Sequence, residues 1–122
     1  MLLDGGQWAA AYYLAGYAIE CGLKSCVLAY VEQNADIIYR EKKYSENCWT
    51  HDIGILVKAS GLDAVRLAES NANPPFGLNC GHALKWSETM RYQFMPESDA
   101  KRLYEAVTHN VNGVLPWIRM HW

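Results

Sequence analysis

Two groups of side chains in this sequence have the types and spacing that chemistry uses. Glu20 and Lys24 stand four residues apart with the acid first. In that order a carboxylate and an ammonium meet on a helix and stabilise it by about 0.2–0.5 kcal/mol when exposed. They are also the only charged residues between Gly5 and Val31. In a helix with no wet face the carboxylate needs a partner from elsewhere, because a buried unpaired charge is strongly destabilising. His51, Arg91 and Lys24 are the candidates. The set reads either as a core ion pair that holds helices in register or as a functional polar pocket.

Arg102 and His109 form the second group, an R-x6-H spacing. On one continuous helix seven residues advance about 700°, so both side chains would leave one face roughly 10 Å apart along the axis. A guanidinium holds phosphate with a fork of donors, and an imidazole exchanges protons near neutral pH. Cleavage of RNA through its own 2′-hydroxyl needs those two services and no metal. The plainer reading pairs Arg102 with Glu105 or Asp99 and leaves His109 flanking the core.

Cys48-x2-His51 and Cys80-x-His82 supply four ligands of the types that tetrahedral zinc takes. Their spacings match no usual finger, so no metal site is expected. His121, beside the terminal Trp122, reads as solvated. The chain has no G-x-x-x-x-G-K-[ST], G-x-G-x-x-G, G-x-S-x-G or H-E-x-x-H, which leaves no motif for P-loop, dinucleotide, hydrolase-elbow or zincin chemistry. No cofactor is expected.

The elements that must position these residues read as helices. Asp4 and Gln7 form a variant capping box, and a helix runs from there to about Val31 with Gly16 and Gly22 inside it. It lacks a polar face, so neighbours should enclose it nearly all round. Ala11, Ala15, Ala18 and Gly22 make a small-residue stripe for close approach, and the apolar surface beyond what three neighbours need suggests a subunit interface. Gln33 to Trp49 reads as a long connection holding one helical turn near Ile37–Tyr39. Thr50 is the expected cap of a second helix, with Gly61 interrupting its pattern. Asn71 to Gly77 is a predicted loop. A third helix should span about His82 to Gln93, and a fourth starts at Ser98 or Asp99. Leu103, Val107, Val111, Val114 and Ile118 recur as one helical face requires, until Pro116 bends or breaks it. The expected fold is all-α, one domain over residues 1–122: an antiparallel up-and-down four-helix bundle with a long loop after helix 1 and a short C-terminal helical extension.

The 122 residues carry 13 acidic and 11 basic side chains, a net charge of −2, with 51% hydrophobic and 20% charged residues. That balance is globular, and it excludes a protein that coats nucleic acid through general positive charge. Trp8 to Ile19, the longest apolar run, is shorter than the about 20 residues of a spanning helix. Met1 to Gly6 has no basic n-region. Four cysteines without an export signal read as thiols, so a cytoplasmic protein without membrane attachment is expected.

Ala11 to Lys24 (AYYLAGYAIECGLK) resembles the first-helix signature of HEPN-domain proteins, Thr50 to Leu56 (THDIGIL) their second-helix start, and Trp86 to Tyr92 (WSETMRY) their third-helix segment. The three occur in the expected order. The resemblance implies a helical bundle, often a homodimer, in a group tied to nucleotide or RNA transactions. Many relatives accompany a separately encoded minimal nucleotidyltransferase in toxin–antitoxin or defence pairs. Some are metal-independent endoribonucleases with an R-x4–6-H motif on a late helix, a pattern that Arg102 and His109 fit. Leu103 departs from it, since active members often carry a polar residue after the arginine. By position the resemblance marks Glu20, Lys24, His51, Arg91 and Tyr92 as the substrate-binding polar set.

Overall fold

Residues 8–41, 43–87 and 96–122 are described by the computed structural model, and every regular element among them is a helix. In chain order these are α1 (Trp8–Gln33), α2 (Ile37–Arg40), α3 (Tyr44–Cys48), α4 (Ile53–Ala59), α5 (Asp63–Ala72), α6 (Pro74–Leu84), α7 (Glu97–Thr108) and α8 (Val114–Arg119). The all-α class read from the sequence is therefore correct. The capping box at Asp4 and Gln7 and the continuation of a helix through residues 88–93 lie outside the described residues.

Helix α1 is the axis of the fold. Tyr12, Ile19, Glu20, Leu23, Cys26 and Val27 are buried along it, against α4, α7 and α8. The expectation of near-complete enclosure is corrected on one side: Leu14, Tyr17, Cys21, Ser25 and Leu28, at spacings of three and four, are exposed along one stripe. By length and composition α1 is also apolar enough to cross a membrane, which corrects the reading that no segment is long enough. In this fold it is a central helix whose inner face holds a carboxylate.

Two glycines explain how closely other elements approach α1. A Cβ on Gly16 would overlap the Trp86 indole, and one on Gly22 would lie 2.9 Å from Ile118. Trp86 is itself buried, so its ring has nowhere to retreat. Gly16→Ala should thus be destabilising, with about 1–3 kcal/mol of overpacking outweighing the up to about 1 kcal/mol that Ala adds inside a helix. A circular-dichroism melt should show a midpoint lower by several degrees; an unchanged or raised midpoint would mean that Trp86 does not sit against α1.

The connection after α1 folds back as two short helices instead of one loop with a single turn, because Ile37 and Tyr44 both reach the core. The second-helix cap is Asp52 and not Thr50: the Asp52 carboxylate accepts from the Ile55 N–H at 3.0 Å, while the Thr50 hydroxyl accepts from the Asp52 N–H at 3.2 Å. Gly61 does interrupt the helical pattern, with φ +75°, a conformation glycine adopts without penalty. The predicted loop at Asn71 to Gly77 is helical apart from Asn73. Pro74 and Pro75 occupy the first turn of α6, where a missing N–H costs nothing. That helix ends at Leu84, short of Gln93. In the last part of the chain the break falls at residues 109–113, ahead of Pro116, which sits inside α8.

Contacts give the directions of the helices. Glu20 meets His51 while Tyr30 meets Gly61, so α4 runs alongside α1 in the same sense. Lys101 lies over the Trp8 ring and the Cys26 thiol donates to the Ile118 carbonyl, so the chain from α7 into α8 advances along α1 from its start toward its later turns. Phe76 near the start of α6 packs on Trp117, while Trp86 just past its end lies against Gly16, so α6 runs opposite to α1, and Asn73 and Asn79 both bond to Asn112. Strict up-and-down alternation does not describe this order, because α2 and α3 carry the chain back beside α1 before α4 begins.

Candidate functional site

Glu20 is buried, with 3% of its side chain exposed, and both its oxygens are engaged. Oε1 lies 2.8 Å from His51 Nδ1, and Oε2 lies 3.5 Å from Lys24 Nζ. The Thr50 and Asp52 hydrogen bonds fix the backbone on either side of His51 and so aim its ring back at α1. With Nδ1 directed at the carboxylate, Nε2 lies on the side of the ring away from the acid. The His51 side chain is 47% exposed and that of Lys24 34%, so the inner carboxylate orients an imidazole and an ammonium that solvent reaches. Such a set can hold an anionic group and pass a proton through the imidazole. Arg91 and Tyr92, the other members of the expected polar set, lie outside the described residues.

Arg102 and His109 do not share a helical face, which corrects the geometry expected of them. Helix α7 stops at Thr108, and His109 leaves it with φ −52° and ψ 129°. Its Nδ1 accepts from the N–H groups of Val111 (3.2 Å) and Asn112 (2.9 Å), closing the turn into α8. The Arg102 guanidinium lies 3.6 Å from the Asp99 carboxylate, on the surface.

The cysteine–histidine pairs stay apart. Among the described residues no three His, Cys, Asp or Glu side chains are grouped to hold a metal ion. Burial pushes the Cys80 thiol up to about 11 and raises Cys26 as well, so neither is a ready thiolate near neutral pH. His121 is not simply solvated: its ring packs edge-on against Trp117 at 5.1 Å. Sequence reading missed a cleft of about 360 Å³ where Tyr30, Glu41, Tyr44 and Lys58 converge. Nothing in their spacing announces it, because α2 and α3 bring them together. There the Tyr44 hydroxyl donates to the Ala59 carbonyl at 2.5 Å, and burial, chiefly, pushes its pKa to about 12.

His82 titrates below the ordinary histidine value, through burial first and then the nearby charges of Arg102 and Lys85. The folded protein therefore binds this proton less readily than the unfolded chain. Its contribution to stability is present above the unfolded value of about 6.5 and is lost as pH falls through the depressed folded value. Urea midpoints measured from pH 7.5 down to 5 should fall, with a shallower fall in His82→Gln. Equal slopes in both proteins would show that His82 is unperturbed.

No family model, no curated protein and no solved structure matches this chain.

Proposed function

We propose that this chain is a HEPN-like nucleotide- or RNA-binding module, a cytoplasmic homodimer that works beside a separately encoded nucleotidyltransferase-type protein in a toxin–antitoxin or defence pair. The observation that carries this reading is the Glu20–His51–Lys24 cluster. It joins two of the three segments on which the family resemblance rests, and it places a cation and an imidazole at the surface around one buried acid. A core ion pair alone would not need His51 and Lys24 to remain partly open to solvent. The exposed stripe of α1 at Leu14, Tyr17 and Leu28 is the apolar face that a homodimer would cover.

Isothermal titration with nucleotides and with short RNA tests the binding. Heat of binding that weakens at least tenfold in Lys24→Gln is expected. A folded sample that gives no heat with any of them overturns the reading. Light scattering at micromolar concentration should give twice the monomer mass, and a monomer there removes the dimer. The alternative of metal-independent RNA cleavage with Arg102 and His109 loses the shared helix face that suggested it. Cleavage that persists in EDTA, leaves 2′,3′-cyclic ends and disappears in His109→Ala would restore it.

A further inference from the structure

From Trp8 to Val31 the exposed positions of α1 are Leu14, Tyr17, Cys21, Ser25 and Leu28. Their spacing is palindromic. Tyr17 and Ser25 stand four residues either side of Cys21, and Leu14 and Leu28 stand seven. At about 100° per residue, all five fall within about 40° of the direction of Cys21. A two-fold interface presents one patch to itself, so that residue i meets j and j meets i. A helix face whose spacing reads the same in both directions meets that condition when two copies run antiparallel about its centre.

The side chains fit that register by size. Leu14 comes opposite Leu28 of the second copy, and Tyr17 opposite Ser25. On the flanks Tyr13 meets Ala29 and Lys24 meets Ala18, so each of these larger side chains faces a small one. The Tyr17 ring is already stacked on Tyr13 at 5.9 Å, and Tyr13 lies 5.9 Å from the Trp86 indole. Little side-chain freedom is therefore lost when it is covered. The charges fit as well. Glu32, exposed in the last turn of α1, comes beside Ala10 in the first turn of the other α1, where the helix dipole is positive. The two Lys24 residues stand about 9 Å apart along the seam, and each has its own Glu20 at 3.5 Å. A parallel pair would instead set Tyr17 on Tyr17, Lys24 on Lys24 and Glu32 on Glu32.

We infer that α1 pairs antiparallel with α1 of a second copy, with the two-fold axis at Cys21. This seam deepens the homodimer given under Proposed function and rests on that reading, adding its axis, direction and register. Two helix axes about 10 Å apart, each with Cα atoms at a radius of about 2.3 Å, bring the facing Cys21 Cα atoms to about 5 Å. A disulfide spans about 4.4–6.8 Å between Cα atoms. Cys21 is a free, exposed thiol and so reports the axis.

Light scattering should give twice the monomer mass, and Leu28→Glu, at an exposed position, should raise the dissociation constant at least tenfold. Diamide, which accepts the two hydrogens as two thiols join, should link the parent into dimers on a non-reducing gel. Cys21→Ser should abolish that link. In the Cys21→Ser background, Leu14→Cys chains mixed with tagged Leu28→Cys chains should cross-link at least tenfold more than either alone. A dimer whose Cys21 thiols do not link, or whose Leu14→Cys chains link to themselves, overturns the seam and leaves the homodimer standing. A monomeric parent overturns both, and a monomer that co-sediments with phosphatidylcholine vesicles identifies a lipid surface as the occupant. A dimer linked through Cys21 that binds no nucleotide or RNA keeps the seam and removes the binding.

Discussion

His51→Ala should cost the protein about 2–4 kcal/mol, close to the range for leaving one member of a buried ion pair without its partner. The reason lies on the other side of the contact. Among the described residues Glu20 then keeps Lys24, at 3.5 Å, and its carboxylate is too deep for water to replace the imidazole fully. Because His51 itself is half exposed, the gap it leaves admits some water, which keeps the loss below the upper end of that range. Removing the acid has a different outcome: His51 and Lys24 both turn to solvent, so Glu20→Leu should lie within about 1 kcal/mol of the parent. In the double variant the Glu20→Leu change should therefore recover most of what His51→Ala loses. Urea denaturation of the four proteins gives the coupling directly. A His51→Ala midpoint equal to the parent's would mean that Glu20 does not depend on the ring. The same series bears on function, since a Glu20→Leu protein that folds normally separates the acid's structural contribution from its part in orienting His51.

Gly113→Ala should be the most damaging of the small substitutions, at about 3 kcal/mol or more. The backbone dihedrals at Gly113, φ −72° and ψ 149°, suit any residue, so conformational freedom is not the issue. Space is. A Cβ there would overlap the His109 carbonyl oxygen and lie 2.7 Å from the His109 nitrogen and 2.8 Å from the Val107 carbonyl oxygen. All three are backbone atoms that no side-chain rotation can move, in contrast to the indole that faces Gly16. Opening the turn would give up the Gly113 N–H bond to the His109 carbonyl and the two N–H bonds to the His109 ring. It would also free Asn112, which ties α7 to α6 through Asn73 and Asn79. A large drop in the urea midpoint at unchanged slope is the expected result; a drop under about 1 kcal/mol would show that the turn opens easily. His109→Ala should lose part of the same turn, so its effects on any activity need a stability control.

Local signals in the sequence were enough for the helical class, for α1 over most of its length and for the isolation of Glu20. One acid in a long apolar helix must be met by a partner whatever the fold, because desolvation of a charge does not depend on topology. The break at Gly61 was legible for a similar reason, since glycine marks a backbone conformation that other residues avoid. The pairing of Glu20 with His51, out of several candidates, was decided by tertiary structure: α2 and α3 turn the chain back so that α4 starts beside the middle of α1. The same packing closed α7 at Thr108. The apolar repeat from Leu103 to Ile118 suggests one helix, yet Val111 in the middle of that repeat is exposed, because the chain leaves the helix after Thr108 and the His109 ring accepts from the N–H groups of the turn. Helical periodicity reports which face a residue prefers along its own segment. Which residues meet across segments, as Glu20 and His51 do between α1 and the start of α4, depends on chain direction and register, and those are fixed only when the helices pack.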